Sequence, residues 1–193
     1  MRAAFKEWAV IVDALGRGEQ IVILRKGGIS EGSGGFKMEY ARFLLFPTLF
    51  HQQRESVLPA AQARYDLIAP NFPAPDTLRL EFFAEVAVTA RLDSLVEAEA
   101  LRGQHVWRNE VIAERFDWGR DKAIFALAVK VFRLPQILEL PMLPAYGGCK
   151  SWIELEQEIA TEGSQPVLTD AQFEGKLENF VARTAKAESP VAP

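Results

Sequence analysis

The clearest pattern along the chain is an alternation of apolar and polar residues from Leu78 to Ala90. Apolar side chains occupy every second position there, which predicts a long strand with one buried face. A second segment, residues 123–134, is apolar at nearly every position and predicts a strand buried on both faces. We expect these two strands to form the centre of a sheet.

Two shorter segments extend the predicted sheet. Residues 20–25 contain the continuous apolar and β-branched run Ile-Val-Ile-Leu, which favours a buried strand. Residues 42–48 predict a returning strand that contains Pro47. Because proline cannot donate to a strand ladder, Pro47 indicates an edge position or a bulge.

Helical spacing of apolar residues marks the segments that flank these strands. It predicts an amphipathic helix over residues 3–15, a helix over 53–66 that is interrupted at Pro59, and helices over 92–101 and 165–181. The predicted fold class is therefore α+β, with a mixed or mainly antiparallel sheet of five or six strands and helices at both ends.

Composition agrees with one folded unit and short additions. The chain has 193 residues, of which 49% are hydrophobic and 25% are charged, as in ordinary globular proteins. We expect a single globular domain over residues 1–160, a C-terminal helical extension over 161–183 and a disordered tail over 184–193.

Charge and cysteine content limit the possible partners and the cellular compartment. The net charge is −4, with the acidic excess concentrated after Glu154, so that the rest of the chain is close to neutral. A near-neutral body neither supports nor forbids nucleic-acid binding. The single cysteine, the absence of an apolar signal-peptide core and the lack of a membrane-length apolar run predict a cytoplasmic protein with no membrane partner.

The stretch from Ile21 to Gln52 carries most of the unusual chemistry. Arg25 and Lys26 end a predicted strand, and the following loop contains five glycines, among them Gly27 and Gly28. The order of residues does not match a phosphate-binding P-loop, which requires Gly-Lys-Ser/Thr at the start of a helix. Two interpretations remain, a flexible hairpin connection or a loop whose backbone approaches a ligand closely.

His51 is the candidate catalytic residue of this stretch. It follows the strand that ends at Thr48, and Glu31 lies in the glycine-rich loop nearby. A lone histidine in this place is either a helix-capping or core hydrogen-bonding residue, or a general acid or base that Glu31 orients. The first interpretation is the more ordinary one.

A second motif, Gly-Gly-Cys-Lys-Ser-Trp, occupies residues 147–152. Lys150 and Ser151 together offer an ammonium group and a hydroxyl. Ser151 also lies three residues before Glu154, which is the spacing of a helix capping box. Cys149 has no second cysteine or histidine close to it in sequence and is a weak candidate nucleophile.

Aromatic residues near these motifs have two interpretations. Trp107 and Trp118 are expected in the core or at its rim, or as a platform on which a planar ligand stacks. Phe46, beside Pro47, is a further stacking candidate.

Three strings identify a resemblance. Residues 5–31 (FKEWAVIVDALGRGEQIVILRKGGISE), 42–53 (RFLLFPTLFHQQ) and 146–155 (YGGCKSWIEL), with Trp107 and the RFDW at 115–118, resemble the bacterial and archaeal family called domain of unknown function 1802. The resemblance covers residues 4–157 and brings no established catalytic residues. It implies an uncharacterised role, with some members associated with restriction and modification. The order of elements is also similar to that of PUA-like barrels, which include modified-base and RNA-binding modules.

Three functions are compatible with these residues. In a ligand- or nucleic-acid-binding module, Arg25, Lys26 and Lys150 contact phosphates and Phe46 or Trp118 stacks on a base. The other residues expected to contact the ligand are Gly27, Gly28, Thr48, Gln52 and Ser151. An enzyme acting on a nucleotide or phosphorylated substrate would use His51 and Glu31. A protein-interaction or regulatory domain would need neither set, and the sequence contains no motif for a metal or a cofactor.

Overall fold

A computed structural model describes residues 1–26, 38–119, 122–184 and the short strand 187–188. Its centre is one curled sheet with the strand order β2-β5-β4-β3-β1-β6. The strands of that path are β1 (Ala3–Trp8), β2 (Val22–Arg25), β3 (Arg42–Thr48), β4 (Thr77–Leu92), β5 (Ile124–Pro141) and β6 (Trp152–Glu154). Two short strands pair beside them, β7 (Gln165–Pro166) with β5 and β8 (Ala187–Glu188) with β4.

Helices flank this sheet at several places along the chain. They are α1 (Ala9–Gly16), α2 (Gln52–Glu55), α3 (Pro59–Ile68), α4 (Leu95–Ala100), α5 (Asn109–Asp117) and α6 (Asp170–Arg183). The α+β class with flanking helices is therefore confirmed. The sheet path ends at β2 on one side and at β6 on the other, so the closed PUA-like barrel is not confirmed.

The two long central strands lie where their patterns predict them. β4 and β5 pair in antiparallel fashion from Thr77 opposite Pro141 to Leu92 opposite Ile124. β5 runs beyond the predicted end at residue 134, and the register shifts between Leu80 and Phe82. This shift and a second one between Val86 and Val88 divide the β4–β5 pair into three parts.

The N-terminal prediction of a helix over residues 3–15 is wrong for its first half. Residues 3–8 form β1, which pairs in parallel with β3 and in antiparallel fashion with β6. Only residues 9–16 are helical. Ala3, Ala4, Phe5 and Glu7 are all buried, and a strand buried on both faces has no alternation by which it can be told from a helix.

The hairpin interpretation of the glycine-rich loop is also wrong. β2 pairs with β5, whereas β3 pairs with β1 and β4, so the two strands that the loop joins are not neighbours. Pairing of β3 with β4 runs from Arg42 to Leu44, and Pro47 lies beyond it. The missing N–H of Pro47 therefore falls where β4 no longer pairs with β3.

The capping box predicted at Ser151 does not form. Residues 152–154 are strand β6 rather than a helix, because they pair with Ala3 to Phe5 of β1. The pairing buries Trp152 and Ile153 in the two apolar clusters on opposite faces of the sheet. Long-range pairing thus overrides a local helix-start signal.

The C-terminal helix packs on the rest of the chain. Phe173 and Phe180 of α6 are buried in the larger apolar cluster, together with residues of β1, β2 and α1. In the tail expected to be disordered, the structure describes buried Thr184 and the pairing of β8 with β4. The other residues of that tail lie outside the described part of the chain.

Candidate functional site

A cleft of about 340 Å³ lies beside the part of β1 that no longer pairs with β6. Residue pairing between β1 and β6 ends at Phe5, and the N–H of Lys6 then donates to the carbonyl of Ser151 at 2.9 Å. Arg25, at the end of β2, reaches across to this part of β1 and donates from Nη2 to the carbonyl of Lys6. The cleft therefore lies at the open seam of the curled sheet.

The seam gathers residues from five parts of the chain. They come from β1 and β2, from the end of β3, from α5, and from the loop before β6. The lining residues are Lys6, Trp8, Leu24, Arg25, Lys26, Thr48, Phe50, Arg115, Gly148, Cys149, Lys150 and Ser151.

Most of the polar residues selected from the sequence meet in this cleft. Arg25, Lys26, Thr48, Lys150 and Ser151 all line it. Gln52 is exposed at the start of α2 and is not among the lining residues. Gly27 and Gly28 lie outside the described residues, so their expected backbone contacts stay predictions.

A buried carboxylate lies beneath the cleft. Glu7 is 1% exposed, and its Oε1 accepts a hydrogen bond from the N–H of Trp8 at 2.7 Å. Its Oε2 has no hydrogen-bond partner among the described residues and lies 3.9 Å from Nη2 of Arg25. An isolated buried carboxylate is costly, so the cations around Glu7 offset its burial.

Arg115 of α5 is the second guanidinium near Glu7. It lies between two tryptophans, 4.7 Å from the ring centre of Trp8 and 5.4 Å from that of Trp107. Burial lowers the pKa of Arg115 to about 10, Glu7 opposes this shift, and Arg25 adds to it. Arg115 therefore stays protonated at neutral pH and contributes a full positive charge to the cleft.

Two lysines of the cleft are oriented by backbone carbonyls. Lys6 Nζ donates to Gly148 O at 3.0 Å, and Lys26 Nζ donates to Phe116 O at 2.8 Å. Burial lowers the pKa of Lys6, Lys150 lowers it further, and Cys149 opposes the shift. Neither Lys6 nor Lys150 makes an ion pair with any residue in the described part of the chain.

The aromatic residues of the cleft differ from those predicted. Phe46 is 2% exposed and packs against Tyr146 in the smaller apolar cluster, so the prediction that it stacks on a ligand is wrong. Trp118 is 52% exposed but is not among the lining residues. Trp8 and Phe50 line the cleft instead, and Phe50 is 58% exposed.

His51 lies outside the cleft lining. It is exposed, it directly precedes α2, and its side chain makes no capping hydrogen bond. Glu31, its expected partner, lies outside the described residues, so the distance between the two side chains is not defined. The enzyme alternative stays a prediction without a supporting contact.

Neither metal ligation nor a membrane span is indicated where the structure is described. Among residues 1–26, 38–119 and 122–184, no group of three or more His, Cys, Asp or Glu side chains is arranged to hold a metal ion. In the same ranges, no helix is long and apolar enough to cross a bilayer. The chemistry that the cleft offers is electrostatic attraction, hydrogen-bond donation and aromatic contact.

The cleft contains residues that local sequence patterns did not select. Lys6 and Trp8 were assigned to an amphipathic helix, and Phe50 and Arg115 had no distinguishing neighbours. The RFDW string at 115–118 indicates the family resemblance but no contact of Arg115 with a ligand. The strand assignment of residues 3–8 would have been needed to place Lys6 beside Ser151.

Fold and site define an α+β protein with a curled sheet and a cationic cleft at the open seam of that sheet. The chain belongs to the family described as Domain of unknown function (DUF1802), which matches residues 4–179. The family assignment made from the sequence strings is thereby confirmed.

Two further comparisons with known proteins do not indicate a function. A point mutant of the ZmASCH protein from Zymomonas mobilis, known from its crystal structure, is similar with a TM-score of 0.44 and 14% identity, over 91% of this chain and 95% of that chain. At this TM-score the likeness indicates neither a shared fold nor a shared function. No curated protein matches the chain.

Proposed function

We propose that this protein binds the phosphate groups of a nucleic acid in the seam cleft. The observation that carries the proposal is the convergence of cationic side chains from separate parts of the chain. Arg25, Lys26 and Lys150 are joined there by Lys6 and Arg115. Because like charges repel, this convergence needs anionic groups nearby, of which Glu7 supplies one within the protein.

Among the described residues, the charge of Lys6 and Lys150 in this cleft has no carboxylate partner. Glu7 pairs with Arg25, and it also opposes the pKa shift of Arg115. Lys6 is oriented by a carbonyl oxygen, which holds an ammonium group without removing its charge. An anionic ligand would relieve the remaining repulsion, and phosphate oxygens are the usual partners of such groups in nucleic-acid complexes.

Aromatic contact supports a ligand that also has a planar part. Phe50 exposes more than half of its surface at the edge of the cleft, and Trp8 lies in its wall. Bases stack on aromatic side chains with little dependence on sequence. The hydroxyl of Ser151 adds a polar contact beside Lys150.

The overall charge of −4 is compatible with this proposal because the potential in the cleft is set by nearby groups. Screening limits the influence of distant acidic residues to about 8 Å at physiological salt. The affinity is therefore expected to depend on the charges in the cleft and to fall as the salt concentration rises.

The test measures binding of fluorescent single- and double-stranded DNA and RNA oligomers across a salt series. The variant is Lys26→Ala combined with Lys150→Ala. Lys176→Ala is the matched control, since Lys176 of α6 is partly buried, as Lys26 is, and also donates to a backbone carbonyl, that of Glu19.

Salt-dependent binding is expected for the wild type and the control. In the double variant, the slope of log affinity against log salt should fall by about 0.7 per lysine for a single strand, or about 0.9 for a duplex. Absence of binding at low salt, or equal loss in the control, would refute the proposal and turn attention to protein partners.

A further inference from the structure

A second and larger cavity, of about 460 Å³, lies away from the seam cleft. It is bounded by α1 and α3 on one side and by the β4–β5 pair on the other, at the place where the register of that pair shifts. None of its lining residues also lines the seam cleft. The two sites therefore share no lining side chain.

The walls of this cavity are mainly apolar. Val12 of α1, Leu45 and Pro47 of β3, Leu67 of α3 and Phe72 contribute to them. Leu67 is 59% exposed, which is unusual for a leucine on a helix that faces a cavity. A volume of this size with apolar walls is typical of sites for small organic ligands.

Arginines are the distinctive polar groups of the same cavity. Arg17 and Arg64 both donate to the carboxylate of Asp13, at 2.9 and 2.7 Å. Arg79 donates to Oε1 of Glu139 at 2.8 Å. These three guanidinium groups already have close carboxylate partners.

Arg133 is held differently. Its Nη1 lies 3.6 Å from Oε2 of Glu81, and its Nη2 lies 3.5 Å from Gly16 O, both longer than a good hydrogen bond. Its guanidinium lies 4.6 Å from the ring centre of Phe82, which orients it without using its donors. The guanidinium of Arg133 is thus held in place by Phe82, while its contacts with Glu81 and Gly16 are long. Its N–H groups line a cavity whose walls are mainly apolar.

The irregularity in the sheet accounts for this arrangement. Phe82 pairs with Arg133 immediately after the register shift, and Glu81 lies within the shift. Bulges of this kind redirect side chains and are frequent beside binding sites.

We propose that this cavity binds a small amphipathic anion, with an apolar body against the α1 and α3 walls and one anionic head group on Arg133. The head group is a carboxylate, sulfonate or phosphate oxygen pair, which a guanidinium binds through two parallel hydrogen bonds. An anion is favoured at Arg133 in particular, because Arg17, Arg64 and Arg79 have close carboxylate partners while the ion pair of Arg133 with Glu81 is long. The head group displaces Glu81 from a long and solvent-exposed ion pair, which contributes little to stability.

The test compares two dyes with the same aromatic body. The anionic probe is 8-anilinonaphthalene-1-sulfonate, and the neutral probe is N-phenyl-1-naphthylamine, which lacks the sulfonate. Both are titrated by fluorescence into the wild type and into Arg133→Gln. Arg42→Gln is the matched control, since Arg42 is also a strand arginine beside a phenylalanine ring, is paired with Glu85 and is 56% exposed against 54% for Arg133.

The wild type and the Arg42→Gln control are expected to bind the anionic dye more tightly. In Arg133→Gln, the affinity for the anionic dye should fall by about tenfold to a hundredfold while that for the neutral dye stays unchanged. Leu67→Ser should weaken both dyes, which tests the apolar wall without adding a charge beside Arg133. Equal affinity of the two dyes for the wild type, an unchanged affinity in Arg133→Gln, or loss of the anionic dye in the Lys26→Ala, Lys150→Ala variant would overturn the proposal.

Discussion

Replacement of Gly16 by alanine tests how closely α1 packs on the central sheet. A Cβ atom at Gly16 would lie 2.3 Å from Cζ of Phe82 and 2.5 Å from its Cε2. Phe82 is 6% exposed, and the guanidinium of Arg133 covers its ring at 4.6 Å. The ring therefore has little room to move, and the helix or the strand must shift.

The expected magnitude comes from a comparison with Gly175 of α6. A Cβ atom at Gly175 meets nothing within 4 Å. Alanine there should stabilise the protein by about 0.5–1 kcal/mol, because glycine in a helix loses more conformational freedom on folding. Gly16 is the last residue of α1, so Gly16→Ala gains less helical stabilisation, and it adds overpacking that costs about 1–3 kcal/mol. The difference between the two variants should thus be about 1–4 kcal/mol.

Urea unfolding followed by tryptophan fluorescence measures this difference. Gly16→Ala should have a lower unfolding midpoint than the wild type and Gly175→Ala a higher one, with unchanged slopes. The packing argument fails if Gly16→Ala is as stable as Gly175→Ala, because the contact with Phe82 would then cost nothing.

Three further predictions concern single groups. Phe50→Ala should weaken oligonucleotide binding by about fivefold to a hundredfold with almost unchanged urea stability, whereas Phe46→Ala should lower the free energy of unfolding by about 3–5 kcal/mol. In Lys150→Ala, the pKa of Lys6 should rise toward its ordinary value, because the charge of Lys150 no longer depresses it and only the effect of burial is left; an NMR titration that finds no rise would exclude this coupling. Burial lowers the pKa of His105 to about 4, so the folded state resists its protonation. The stability that neutral His105 contributes is complete above about pH 6.5 and is lost as pH falls toward 4, by up to about 3 kcal/mol, and His105→Gln should remove this pH dependence from urea unfolding curves.

Predictions from local patterns succeeded where the pattern agrees with the long-range pairing. The alternation from Leu78 to Ala90 is that of β4, the apolar run over 123–134 is the first part of β5, and the interrupted helix with Pro59 at a break is the pair α2 and α3. Residues 3–8 failed because Phe5 and Trp8 continue the helical spacing of α1, and pairing with β3 and β6 overrides that spacing. Ser151 failed because its helix-start signal could not include the pairing of β6 with β1.

The candidate site residues also fall into two groups, those that the sequence indicates and those that only burial distinguishes. Arg25, Lys26 and Lys150 lie next to glycine-rich segments, where the sequence predicts phosphate contacts, and all three line one cleft. The sequence does not indicate which of Phe46 and Phe50 is accessible to a ligand. In the structure Phe46 is buried and Phe50 is exposed.

The sequence by itself determined the fold class, the two long central strands, the family and most of the polar residues of the seam cleft. Those conclusions depend on composition, on period and on local strings of residues, which are properties of neighbouring positions. Only the tertiary structure decided that β1 joins β3 and β6, that Lys6 and Arg115 enter the cleft, and that Arg133 faces a second cavity. These features arise from pairing and burial between segments far apart in the chain, and no local pattern encodes which distant partner a strand will meet.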